Sequence, residues 1–87
     1  METIPIRVLF FGKAREIVKC DEQSERVPVD ADYQRLFKMI FEERFPELKE
    51  IASSCMLAVD QHFCRPDSKV ELYPNSEIAV IPPLSGG

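Results

Sequence analysis

The stretch EIAVIPPLSGG, residues 77–87, decides how this chain is read. Its first half alternates. Ile78 and Val80 fall on one side of an extended segment, and Ala79 and Ile81 fall on the other. A period of two in β-branched residues predicts a strand. Pro82 and Pro83 then end the ladder, because they lack N–H donors and favour an extended polyproline conformation that carries the chain away from a sheet. Leu84, Ser85, Gly86 and Gly87 follow, and two of the chain's three glycines are its last two residues. Residues 1–81 are therefore expected to form one domain, and residues 82–87 a flexible tail.

The partner for this strand is expected at the other end of the chain. IPIRVLFFG, residues 4–12, is rich in β-formers and stops on a glycine. Ile4, Ile6, Val8 and Phe10 make one face, and Pro5, Arg7, Leu9 and Phe11 the other. Arg7 marks the second face as the wetter one, since an unpaired arginine is rarely buried. Yet Leu9 and Phe11 share that face. Either the domain covers both sides of the strand itself, or this side is an apolar patch held for a partner. The two most apolar strands should lie side by side at the centre of the sheet.

Between them, KAREIVKC (13–20) can make two helical turns with Ala14, Ile17 and Val18 on one side. SERVPVD (24–30) predicts a short strand around Val27 and Val29, with Pro28 suited to an edge. The main helix follows, with Asp30 or Asp32 as its cap. Leu36, Phe37, Ile40, Phe41 and Phe45 recur at the spacing of one helix face, which is read as core, and Pro46 stops the run. PELKEIASS is expected to connect with one short helical turn. CMLAVDQHFC (55–64) predicts a strand, a turn at Asp60-Gln61 and a return at His62 and Phe63. A short extended piece, KVELY, precedes a turn at Pro74-Asn75-Ser76, where Asn75 suits a left-handed conformation. Terminal strands paired centrally with one helix across one face make an α+β roll.

Composition narrows the function. The chain has 87 residues, 45% of them apolar, and a net charge of −4 at pH 7. That balance argues against a nucleic-acid footprint and against docking on an anionic membrane. It suits a basic partner. No apolar run approaches the ~18 residues of a membrane span, and the start lacks the basic region of a signal peptide. A cytoplasmic, reducing location is expected, with Cys20, Cys55 and Cys64 as unpaired thiols. With a single histidine, His62, no metal site is expected. A cysteine nucleophile served by His62 stays open, although nothing in the sequence brings them together.

The tail carries the chemistry. Gly86 and Gly87 have no Cβ, so their backbone can pass through a channel too narrow for side chains. A carboxylate on Gly87 would be ionised, and it must be activated before it reacts. Adenylation by ATP does this, and the adenylate can then accept sulfur or a thiol. The chain has no phosphate-binding loop, so another protein must hold the ATP. No stably bound cofactor is expected. Ordering a free tail costs about 1–2 kcal/mol per residue, which a rigid docking surface must offset. Leu9, Phe11, Phe63 and Ile81 are the candidate surface.

IRVLFFGKAREIV near the start, MLAVDQHF in the middle and EIAVIPPLSGG at the end resemble the small, sulfur-carrier subunits of molybdopterin synthase, within the β-grasp, ubiquitin-like superfamily. The resemblance runs the full length. It implies an adenylate and then a thiocarboxylate on Gly87, formed by an adenylyltransferase and sulfurtransferase similar to ubiquitin-activating enzymes. It implies a tail of Pro82, Pro83, Leu84, Ser85, Gly86 and Gly87 that enters the large subunit and gives sulfur to a cyclic pyranopterin monophosphate. It also implies a heterotetramer of two small and two large subunits, docked through Phe11, Phe63 and Ile81. Where the family often has a glycine after the Arg-Glu helix this chain has Lys19, and where it often has Gly-Asp before the last strand this chain has Asn75-Ser76. The rivals are a sulfur carrier for thiamine synthesis or transfer-RNA thiolation, a modifier conjugated to lysines, and an interaction domain with an inert tail.

Overall fold

The first strand of the computed structural model, β1 (Thr3–Phe10), buries Ile6, Val8 and Phe10 and leaves Pro5, Arg7 and Leu9 half-buried. The structure describes residues 2–65, 67 and 69–83. Beyond β1 come α1 (Gly12–Val18), β2 (Glu22–Pro28), α2 (Tyr33–Lys38), β3 (Met56–Val59), β4 (His62–Phe63) and β5 (Ser76–Ile81). The sheet order is β2-β1-β5-β3-β4. The first and last strands are neighbours and run parallel, with Leu9 opposite Ala79 and Phe10 opposite Val80. β2 pairs antiparallel on the outer side of β1, and β3 antiparallel on the other side of β5. This is the β-grasp arrangement.

The core lies on one face of the sheet. Val8, Phe10, Ile78, Val80 and Leu57 meet Leu36, Ile40, Phe41 and Phe45 from the helical segment. Asp32 caps α2, its Oδ1 accepting the Arg35 N–H at 2.8 Å. The helix then widens. Met39–Arg44 is a π-helical turn, in which the Phe45 N–H donates to the Ile40 carbonyl at 2.9 Å. The extra residue in that turn delivers Phe45 edge-on to Phe10, with ring centroids 4.8 Å apart.

Several expected boundaries move. β1 stops at Phe10, so Phe11 and Gly12 leave the strand, and Gly12 begins α1 with φ +52. β2 starts earlier than its apolar residues indicate and ends at Pro28, which leaves Val29 exposed. An edge strand gains its hydrogen bonds from one neighbour whatever its side chains, so the polar run Glu22–Glu25 could join. PELKEIASS is a longer helix than the single turn expected, a 3₁₀ segment over Pro46–Ser54 that buries Leu48. KVELY forms no strand; Leu72 drops into the core. Lys19 takes the left-handed conformation at the end of α1, at φ 66, and Asn75 does so in its turn, at φ 71.

Candidate functional site

The sheet face opposite the core is apolar across four strands. Leu9 stands opposite Ala79, Ala79 opposite Ala58, and Ala58 opposite Phe63. Cross-strand partners point to the same side, so these residues form one row. Two residues along the strands, Ile81 stands opposite Met56. Phe63 is 66% exposed, while Phe11 and Met56 are each 48% exposed. Leu9 and Ile81 are half-buried between them. At the other end of the face Arg7 closes the patch with charge, its guanidinium 3.0 Å from Glu77 and 3.8 Å from Glu22.

Phe11 sits one residue beyond β1 and yet stays beside Ile81. Both line a groove of about 770 Å³ whose wall includes Gly12, Lys13, Ile51, Pro82 and Pro83. The groove therefore joins the apolar face to the root of the tail. Of the tail, Pro82 and Pro83 lie within the described residues, directly after β5. Leu84, Ser85, Gly86 and Gly87 lie outside the described residues.

Sequence reasoning missed Met56. The signal was present, since Leu57 and Val59 alternate inward and so place Met56 and Ala58 outward. It also missed Ile51, whose approach to the groove depends on the 3₁₀ segment.

The cysteines take no part in this face. Cys20, Cys55 and Cys64 are free thiols. Burial pushes the Cys55 thiol above its ordinary value, and burial followed by the charges of Cys64 and Cys55 raises the Tyr33 phenol. The Cys64 Sγ contacts the His62 carbonyl oxygen at 3.8 Å, not the ring, so it gains no general base from that contact. Among the described residues no helix is long and apolar enough to cross a membrane.

A mixed sheet with its terminal strands parallel at the centre, a helix across one face, and an open apolar face running into a Pro-Pro exit define a ubiquitin-like β-grasp protein. The chain belongs to the ThiS family, whose profile matches residues 8–87. The molybdopterin synthase sulfur carrier subunit of Caenorhabditis elegans is 46% identical over 84 residues, covering 97% of this chain and 99% of that one. Among solved structures, the complex of subunits 1 and 2 of molybdopterin-converting factor from Helicobacter pylori holds a similar chain. It has a TM-score of 0.64 and 24% identity, over 97% of this chain and 100% of that one. The small archaeal modifier protein 1 of Methanosarcina acetivorans has a TM-score of 0.73 and 19% identity, over 100% of both chains. These two structural likenesses bear on the fold.

Proposed function

We propose that this chain is the sulfur carrier subunit of a molybdopterin synthase. The observation that carries the reading is its near full-length likeness to a sulfur carrier subunit, at 46% identity. The open apolar face supports it, because a tail that must be ordered needs a rigid surface to dock first.

In this reading Gly87 carries the chemistry and Gly86 lets it reach a narrow site. An oxygen of the Gly87 carboxylate attacks the α-phosphorus of ATP on an adenylyltransferase, and pyrophosphate leaves. Sulfide attacks the acyl carbon, AMP leaves, and a thiocarboxylate remains. Leu9, Phe11, Phe63 and Ile81, with Met56, dock the loaded carrier on the large subunit, and Pro82 to Ser85 lead Gly87 into its active site. The sulfur attacks a carbon of cyclic pyranopterin monophosphate, the oxygen held by that carbon leaves, and water cleaves the acyl–sulfur bond to return the Gly87 carboxylate. A dithiolene holds two sulfurs, so each product takes two carriers or two rounds. The assembly is a heterotetramer in the cytosol, and the small subunit alone catalyses nothing.

The test is direct. The chain bearing a synthetic Gly87 thiocarboxylate is mixed with the large subunit and the pyranopterin precursor. Dithiolene product should form as the thiocarboxylate reverts to carboxylate, and a chain with one residue added after Gly87 should form none. Persistence of the thiocarboxylate without product would refute the reading.

A further inference from the structure

The start of α1 and the root of the tail meet at one point. A Cβ built on Gly12 would lie 3.3 Å from Pro82 Cγ. Carbon atoms prefer about 3.5–4.0 Å, so a side chain at position 12 would press on the Pro82 ring and move it by a few tenths of an ångström. The parallel register explains the meeting. Phe10 is opposite Val80, and two residues further each chain leaves the ladder at this spot. Gly12 also sits at φ +52, a conformation that side chains other than glycine adopt only with strain.

We propose that Gly12 is a positioning residue for the tail: without a Cβ it lets the Pro82 ring seat against the start of α1, and this seat sets the direction in which the chain leaves the sheet. Pro82 and Pro83 form a stiff rod, because each ring fixes its own φ. A small rotation at the base of such a rod becomes a larger displacement further along it. Reacting groups tolerate little displacement; about 1 Å can cost up to about 100-fold in rate. The functional consequence rests on the carrier reading, whereas the geometric one does not.

The experiment uses the full chain as Gly12→Ala, Pro82→Ala and the double variant. Residual dipolar couplings of the Leu84–Gly87 amides read the direction of the tail. Thermal midpoint, affinity for the large subunit and single-turnover sulfur transfer are measured on the same samples. Gly12→Ala is expected to change the couplings and to slow transfer about tenfold, with affinity held within about twofold. In the Pro82→Ala background the same substitution should still lower the thermal midpoint, because the φ +52 strain remains, but should change transfer and couplings little, because the ring it displaces is gone. Unchanged couplings in Gly12→Ala would overturn the proposal. So would rate effects that multiply independently, or rate and affinity falling together in step with stability. Couplings that change as expected in Gly12→Ala, beside a wild-type chain that transfers no sulfur, would keep the positioning role and sink the carrier reading.

Discussion

The Asp60 carboxylate accepts a hydrogen bond from the Ser76 hydroxyl at 2.8 Å, across sixteen residues of sequence. Its other oxygen accepts the Glu77 N–H at 2.9 Å, and the Ser76 oxygen in turn accepts the Tyr73 N–H at 2.9 Å. Asp60 and Gln61 both have positive φ, at 49 and 71, the backbone of a two-residue hairpin turn between β3 and β4. One carboxylate thus ties that hairpin to the start of the central strand. Ser76 is only 3% exposed, so Asp60→Ala leaves a buried hydroxyl without its acceptor. The expected loss is about 1–3 kcal/mol in urea unfolding. A loss below about 0.5 kcal/mol would mean that the tie is replaced by water.

The apolar face makes a separable prediction. Phe11→Lys and Met56→Lys alter half-exposed side chains, so stability should shift by about 0.5 kcal/mol or less. Affinity for the large subunit should fall by about 2 kcal/mol or more if these residues anchor the interface. Calorimetric titration beside thermal unfolding reads both. Equal losses in binding and stability would place these side chains in the core rather than the interface.

Much of this face was legible, and the reasons differ by residue. Alternation places Leu9, Ile81 and Phe63 because a strand has one repeat and one wet side. Phe11 was expected on the strand but lies beyond it, since the turn at Gly12 depends on how α1 folds back. It remained next to Ile81 only because the flanking strands are parallel and in register. The π-helical turn was not legible: a spacing of three to four residues fits Phe45 to either helix type, and its packing on Phe10 is a tertiary contact. Nor could the sequence show that β2 begins in a polar run, because an edge strand is recruited by its neighbour's backbone.

Lys19 ends α1 in the left-handed conformation, at φ 66 and ψ 33, with its N–H donating to the Arg15 carbonyl at 2.8 Å. A side chain in that conformation costs roughly 1–2 kcal/mol, and glycine is relieved of it. Glycine also gains freedom in the unfolded chain, roughly 0.5–1 kcal/mol. Lys19→Gly should therefore raise stability, by about 1 kcal/mol at most, as read by chemical unfolding. A loss of stability would show that the Lys19 side chain makes a compensating contact.

Cys55 links stability to pH. Burial raises its folded-state value above the ordinary 9.0, so the folded chain holds the proton more tightly than the unfolded chain does. The contribution is whole below the unfolded value and is lost as pH rises through the folded one. Stability should fall across the alkaline range more steeply in the wild type than in Cys55→Ala. Tyr33 is shifted in the same direction, by burial first and in part by the charge of Cys55, so Cys55→Ala relieves part of that shift too and flattens the alkaline fall further. Identical slopes would mean that Cys55 is open to solvent in solution.

The most direct measurement is the intact mass of this chain recovered from cells that contain its activating enzyme. The sulfur-carrier account predicts a form heavier by one exchange of oxygen for sulfur, mapped by fragmentation to Gly87. Recovery of the chain joined through Gly87 to lysines of other proteins, with no sulfur-bearing form present, would contradict it.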